Sequence, residues 1–413
     1  VTVDTTETRR LRAELVRALV DAGKLHSAGW LRAFEQVPRH RFVPRFHRYR
    51  DADSSWEIID SSRSEQRDEW LAGVYSDEYL YIARDVDDPL ACSTSSMPSI
   101  MAEMLEALGA EPGHRVLDIG TGSGYNAALL CEMLGSTNVT TVDIDARLVE
   151  AAAERLRCAG YTPTVAAGDG FDGYAENAPF DRVIATCRVR QVPTAWIAQT
   201  RPGGLVLVML PHGMAQLTVA ADGSAQGRFH PTPFGFMYMR GHWPPAPPDA
   251  ELVALTAQGG STRRADDRDD PVIAEPQPSA FWMLARLAAW GDIAEIDVDP
   301  TTDVYVDRAD RSWAVLDYEE ATITQGGPRR LWDAAVELHQ EWSALGRPDR
   351  DRLGLTVTAQ RRQYVWLDDP QSGRRWNLAG GAEGAWWQPG PVANAGASGG
   401  RLTTGTHPRA SIA

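Results

Sequence analysis

The sequence predicts an α/β fold on a doubly wound parallel sheet, with a helical segment before it and an α+β domain after it. Three observations predict this. Between Arg115 and Val208 the chain repeats apolar strand, glycine turn and helix, the alternation that gives a parallel sheet covered on both faces. Before residue 40 the apolar spacing is helical, and near residue 243 a proline run breaks the chain ahead of a tryptophan-rich stretch.

Taken in order, Leu11, Leu15, Ala18 and Leu19 mark a first helix, and Val37-Pro38 closes a second. Arg39 to Arg50 is a basic and aromatic run with two readings, a solvated face or a steering patch for an acidic substrate. Val116–Ile119 reads as a buried strand, Tyr125–Leu134 as a helix, and Asn138–Val142 as the next strand. Ala146–Ala159 follows as a helix capped by Asp145. Thr164–Ala167, Asp181–Ala185 and Leu205–Leu210 are further strands, with a helix around Thr194–Thr200. The proline run Trp243 to Pro248 and the charged stretch Arg263 to Asp270 read as a linker. Beyond it come a hairpin of Val304–Val306 and Trp313–Leu316 turning near Asp310, a helix over Leu331–Leu345 and a strand near Tyr364–Leu367. The expected boundaries are an N-terminal helical, substrate-side segment (1–90), a core (91–245), a linker (246–280), an α+β domain (281–380) and a flexible tail (381–413).

A length of 413 residues with 43 % hydrophobic and 23 % charged residues fits a soluble chain of two or three domains. The excess of 56 acidic over 41 basic residues, net −15, opposes binding to a phosphate backbone, so no nucleic-acid partner is expected. The best apolar run, Leu205–Leu210, is far short of the roughly 20 residues a membrane span needs, and the N-terminus lacks a signal-peptide pattern. A cytoplasmic chain without a membrane partner is expected. Cys92, Cys131, Cys158 and Cys187 are widely spaced, which predicts buried reduced thiols and no metal site.

The strongest chemical signal is Asp118-Ile119-Gly120-Thr121-Gly122-Ser123-Gly124 between a strand and a helix. Glycines there let the backbone turn sharply and approach a ligand, whose anionic end meets the free N–H groups of the helix. Asp143, ending the second strand, would hold a ribose diol, and Gly168-Asp169-Gly170 would present a carboxylate to an adenine amino group. A dinucleotide fingerprint needs glycine at position 125, where Tyr125 stands. Asp118 also suits a cation better than a pyrophosphate. S-adenosylmethionine fits, with S-adenosylhomocysteine as product, and the sheet becomes the Rossmann-like core of a class I S-adenosylmethionine-dependent methyltransferase. The cofactor-binding residues are read as Asp118, Gly120, Thr121, Gly122, Gly124, Tyr125, Asn126, Asp143, Ile144, Asp169 and Gly170.

Val37-Pro38-Arg39, Phe42-Val43-Pro44, Tyr75-Ser76-Asp77-Glu78, Ala178-Pro179-Phe180-Asp181 and Arg201-Pro202-Gly203-Gly204 form a further set of motifs around Gly168-Asp169-Gly170. With them, from about residue 10 to 212, the chain resembles the protein L-isoaspartyl O-methyltransferases. The family's Thr-x-Ser-x-Pro is present as Thr94-Ser95-Ser96-Met97-Pro98. The resemblance makes Thr94 and Ser96 the catalytic, substrate-side hydroxyls; on residue type alone, the same cluster reads as a helix cap. An insertion between about Asp51 and Asp68 and a long C-terminal extension depart from the repair enzyme. Gly326 to Asp333 and Gly354 to Thr358 resemble extended homologues that modify ribosomally made peptides.

That resemblance implies a precursor peptide bearing an aspartate as partner, a graspetide ahead of a lanthipeptide. The aspartate is methylated on its side chain, and the ester closes to aspartimide. Isoaspartate repair and a non-catalytic peptide-binding scaffold are the alternatives. An aspartate of pKa about 3.9 is ionised at neutral pH, so transfer needs no general base. His40, His47, His114 and His212 are accordingly scattered. The C-terminal tryptophans read equally as an aromatic surface for the peptide or as a second hydrophobic core.

Overall fold

The computed structural model describes residues 3–50, 55–84, 92–241, 247–371 and 373–378. The tail expected over 381–413 and most of the proline run, Trp243 included, lie outside these residues. A ten-stranded sheet forms the centre. Its parallel part has Val116–Ile119 between Phe180–Arg188 on one side and Val139–Asp143, then Thr164–Ala167, on the other. Strand order therefore reverses beside Val116–Ile119, the switch point at which an open α/β sheet leaves a crevice at its carboxyl edge. Helices Tyr125–Leu134 and Ala146–Ala159 start where the sequence places them, and the Asp145 carboxylate accepts from Arg147 N–H as expected.

Thr200–Leu210 continues the sheet and is followed by the antiparallel Gly213–Val219 and Ala225–Phe229. Leu353–Val357, Gln363–Leu367 and Arg375–Asn377 then add to the same edge. These last strands, expected in a separate C-terminal domain, extend the central sheet. One apolar core runs from Leu117 and Val183 through Phe281, Trp290 and Trp332 to Val365.

The stretch expected as linker is structured. It carries the helix Asp249–Ala254, the strand Ser261–Arg264 and the helical turn Asp270–Ile273. Ser261–Arg264 pairs with Thr322–Gly326 in a five-stranded antiparallel sheet whose other members are Ile293–Asp299, Thr302–Asp307 and Trp313–Asp317. Prolines and charges marked turns between short elements, and the burial of Leu252, Leu255 and Val272 pins them to the body.

The N-terminal segment, expected to be helical, contains the helices Thr6–Asp21 and Ala28–Gln36 and then a sheet. Its strands are Arg45–Arg50, Ser55–Asp60, Leu80–Arg84 and Cys92–Ser95, all antiparallel. Alternation explains it: Phe46, Ile59 and Leu80 are buried toward the core, while intervening residues face outward. Cys158 departs from the expectation of buried thiols, because it lies in the last turn of Ala146–Ala159, exposed beside Glu154. Among the described residues no helix is long and apolar enough to cross a membrane.

Candidate active site

The glycine loop leaves the sheet at the switch point. Gly120 and Thr121 donate to Val142 O at 2.8 and 3.3 Å, which ties the loop to the neighbouring strand. Gly120 has φ +102°, and a Cβ there would sit 2.6 Å from Thr186 Oγ1. That hydroxyl donates to the carbonyls of Ile119 and Gly120 at 3.0 Å each. Only glycine satisfies both the backbone and the close approach. Gly122, at φ +51°, faces the carbonyl of Thr94, which would lie 3.4 Å from an added Cβ. The loop thus abuts the segment expected on the substrate side. Gly124 precedes the helix against Ala152.

The two loop carboxylates differ in role. Asp118 is fully buried; it accepts from Asn126 Nδ2 at 2.8 Å and from Thr141 Oγ1 at 2.9 Å, and Thr141 also bonds Thr121 Oγ1 at 2.7 Å. Burial pushes its pKa up to about 7, against the lowering effect of those two donors and with a further push from Asp143. The sequence reading put Asp118 next to a cationic ligand. Its side chain instead fastens strand, loop and helix together from beneath. Tyr125 likewise turns inward, 5 % exposed, with its ring edge-on to Phe34 at 6.4 Å and tilted on Phe42 at 5.9 Å. The Asn126 side chain serves Asp118.

Asp143 is half-buried at the carboxyl edge. Its Oδ2 accepts from Gly122 N–H at 2.9 Å and its Oδ1 from Asp145 N–H at 3.1 Å, leaving each oxygen a lone pair for a hydroxyl donor. Ile144 beside it is 39 % exposed, an apolar face of the kind a flat aromatic ring covers. Asp169 Oδ1 accepts from Phe171 N–H at 2.9 Å, and Gly170 is buried. A carboxylate for a diol, an apolar side chain and a second carboxylate thus follow one another along the crevice, and this set fits an adenosine.

Thr94 lies in the last strand of the N-terminal sheet, Cys92–Ser95, and Ser96 follows that strand ahead of the helix Pro98–Leu108. Met97 occupies the N-cap, and the Asp77 carboxylate accepts from Ser99 N–H at 2.8 Å in the first turn, so this helix end is served by Asp77 and not by Thr94 or Ser96. Sequence reasoning missed what holds this segment. Arg39 is 0 % exposed and donates to the carbonyls of Val74, Ser76, Glu78, Ser95 and Ser96 at 3.0 to 3.3 Å. Burial draws its pKa down to about 10. The signal was present in Val37-Pro38-Arg39, where an arginine follows a helix-ending proline, although charge alone does not reveal a buried clamp.

A second missed element is the strap after residue 233. Arg188 N–H donates to Met237 O and Met239 N–H to Arg188 O, both at 2.8 Å. Arg240 reaches Ser93 Oγ at 3.2 Å, and Gly241 passes so near Ile144 and Asp169 that a Cβ would be 2.3 Å from Ile144 Cδ1. The strap walls the crevice between its cofactor and substrate sides.

Fold and site together define a class I S-adenosylmethionine-dependent methyltransferase. Residues 10–233 match the family described as protein-L-isoaspartate(D-aspartate) O-methyltransferase, and the chain belongs to that family. It is a protein carboxyl O-methyltransferase with S-adenosylmethionine as methyl donor. It is 33 % identical over 199 residues to the protein-L-isoaspartate O-methyltransferase of Ignicoccus hospitalis, a match that spans 48 % of this chain and 80 % of that one. The Methanosarcina mazei protein of the same name is 35 % identical over 204 residues, 49 % of this chain and 71 % of its own. A solved protein-L-isoaspartate O-methyltransferase shares the fold at a TM-score of 0.52 and 22 % identity, covering 87 % of this chain and 100 % of its own. The likeness in fold extends into the C-terminal part of this chain.

Proposed function

We propose that this enzyme methylates the side-chain carboxylate of an aspartate in a ribosomally made, macrocyclised precursor peptide, a graspetide ahead of a lanthipeptide. The observation that carries carboxyl transfer is the contact of the Thr94 segment with Gly122. Neither the Thr94 nor the Ser96 hydroxyl has a hydrogen-bond partner among the described residues, so both remain available to a substrate carboxylate. Asp143, Ile144, Asp169 and the glycine loop would hold S-adenosylmethionine, which supplies the methyl group. The chain's own contribution is alignment and exclusion of water, since the acceptor is already ionised. The peptide-modifying subtype is supported by the likeness of Gly326 to Asp333 and Gly354 to Thr358 to such homologues.

The methyl ester then reacts within the peptide. The backbone nitrogen of the following residue attacks the ester carbonyl, the N–C bond closes a five-membered imide, and the methoxy group leaves as methanol with the amide proton. The attack is intramolecular and needs no second site. Isoaspartate repair is the second reading, favoured by the names of the relatives. Mass spectrometry of a precursor encoded beside the gene tests the two. Gain of about 14 mass units followed by loss of about 32, dependent on an ordinary aspartate, supports the first. Methylation only after isoaspartate has been introduced supports repair.

A further inference from the structure

The N-terminal sheet has an outward face of unusual chemistry. Ile58 pairs with His47, His47 with Tyr81 and Tyr81 with Thr94, so one row of side chains crosses all four strands and ends at the candidate substrate hydroxyl. Tyr49 and Trp56, paired two residues along, share that face, as does Tyr79. The rings form a continuous ladder: Tyr49 to Trp56 at 5.3 Å, Trp56 to Tyr81 at 5.1 Å and Tyr81 to Tyr79 at 5.5 Å between centroids. Tyr49 is 45 % exposed, Ile58 and Tyr79 40 % each. A one-sided antiparallel sheet ordinarily turns polar residues to water. An exposed, connected aromatic face marks a binding surface.

Charge narrows the occupant. Arg84 lies 4.2 Å above the Trp56 ring and makes no ion pair among the described residues. Arg45 stands at the end of the same face, opposite Asp60. In a chain of net charge −15, a cationic edge beside aromatic rings suits an acidic peptide and repels a basic one. We propose that this ladder docks an acidic segment of the substrate peptide next to the acceptor aspartate, and so delivers the acceptor to Thr94 and the glycine loop. Three strand spacings of about 4.8 Å make the face roughly 14 Å wide, the reach of about four to five extended residues.

The proposal rests on the peptide-directed reading above, and two probes separate their failures. The long probe is a synthetic peptide with one Asp-Gly acceptor and about six flanking residues rich in Glu, enough to cross the face; the short probe is the same acceptor capped after one neighbour on each side. Trp56→Ala and Arg84→Glu are compared with the unchanged enzyme, with S-adenosylhomocysteine affinity as the fold control. For the long probe KM should rise about tenfold or more with kcat within about twofold, and the short probe should be unaffected. A long probe with Lys in place of Glu should not lose affinity in Arg84→Glu. Equal effects on long and short probes overturn the proposal, as does light scattering that shows a second copy held through this face. If the unchanged enzyme methylates neither probe, the functional reading fails; docking is then read from anisotropy of the labelled long probe on the S-adenosylhomocysteine-loaded enzyme. Loss of that binding in Trp56→Ala supports the ladder, and unaltered binding overturns it.

Discussion

Two regions of this molecule are rich in aromatic residues, and they treat them oppositely. After residue 280 the described tryptophans are all buried: Trp282, Trp290, Trp313, Trp332, Trp342, Trp366 and Trp376 are each 5 % exposed or less. Six of them also donate their indole N–H within the protein, Trp290 to Leu331 O at 2.8 Å and Trp332 to Asp269 Oδ1 at 2.9 Å among them. On the N-terminal sheet, Tyr49, Trp56, Tyr79 and Tyr81 meet one another tilted or edge-on along an open face, and the Trp56 N–H has no partner among the described residues. Of the two equal readings of the C-terminal tryptophans, the structure selects core over surface, but most of them join the core of the central sheet instead of building a second one. A tryptophan whose apolar body and N–H are both satisfied internally has nothing left to offer a ligand.

The largest effects should come from breaking the buried set. Trp290→Ala or Trp332→Ala removes a fully buried ring and orphans a hydrogen-bond acceptor, and each should cost about 3 to 5 kcal/mol in urea denaturation. Trp56→Ala should cost less than about 1 kcal/mol. Comparable losses in the two regions would mean that the ladder is itself core.

The same contrast divides the two loop carboxylates. Asp118 has every partner inside the protein and a pKa raised to about 7, so the folded state binds its proton more tightly than the unfolded chain, where the value is 3.8. Its stabilising contribution is complete below about pH 4 and is lost as pH rises through 7, an upper bound of about 4 kcal/mol. Asp118→Asn should therefore melt higher than the unchanged protein at pH 8 and show a flatter decline from pH 5 to 8. Asp143, half-open to the crevice, should behave as a ligand group. Asp143→Ala should weaken S-adenosylmethionine binding by on the order of 1.5 to 3 kcal/mol in calorimetry, more than Asp118→Asn does.

Legibility followed the same line. Val116–Ile119 and Tyr125–Leu134 fall where periodicity placed them, because an apolar run bounded by glycines has few alternatives. The glycine loop and Asp143 meet through the Gly122 N–H, and the Thr94 segment, assigned by resemblance alone, abuts the same glycine. Direction of side chains was not legible. Tyr125 and Asn126 stood in the expected cofactor set beside the glycine loop, yet Tyr125 turns to Phe34 and Phe42, neighbours distant in sequence, and Asn126 to Asp118. The basic run from Arg39 to Arg50 concealed both a buried clamp and a strand, since its charges mask the single inward Phe46. Composition counts aromatics without showing which of them find partners.

The smallest effect on stability should mark the residues nearest the chemistry. Among the described residues the Thr94 and Ser96 hydroxyls have no hydrogen-bond partner and cap no helix, and Thr94 stands where the aromatic row meets the glycine loop. Thr94→Val with Ser96→Ala removes both hydroxyls at nearly constant volume, so folding stability should move by no more than about 0.5 kcal/mol. Affinity for S-adenosylmethionine should also hold, because among the described residues neither hydroxyl bonds Asp143, Asp169 or the glycine loop, and Asp143 is held by Gly122 and Asp145 N–H instead. Turnover should fall about tenfold, the loss of one or two hydrogen bonds of about 0.5 to 1.5 kcal/mol each to the acceptor carboxylate in the transition state. Steady-state kinetics beside calorimetry reads both quantities on one preparation. A fall in cofactor affinity without a fall in kcat would move these hydroxyls to the cofactor side, and the aromatic row would then end at the wrong partner.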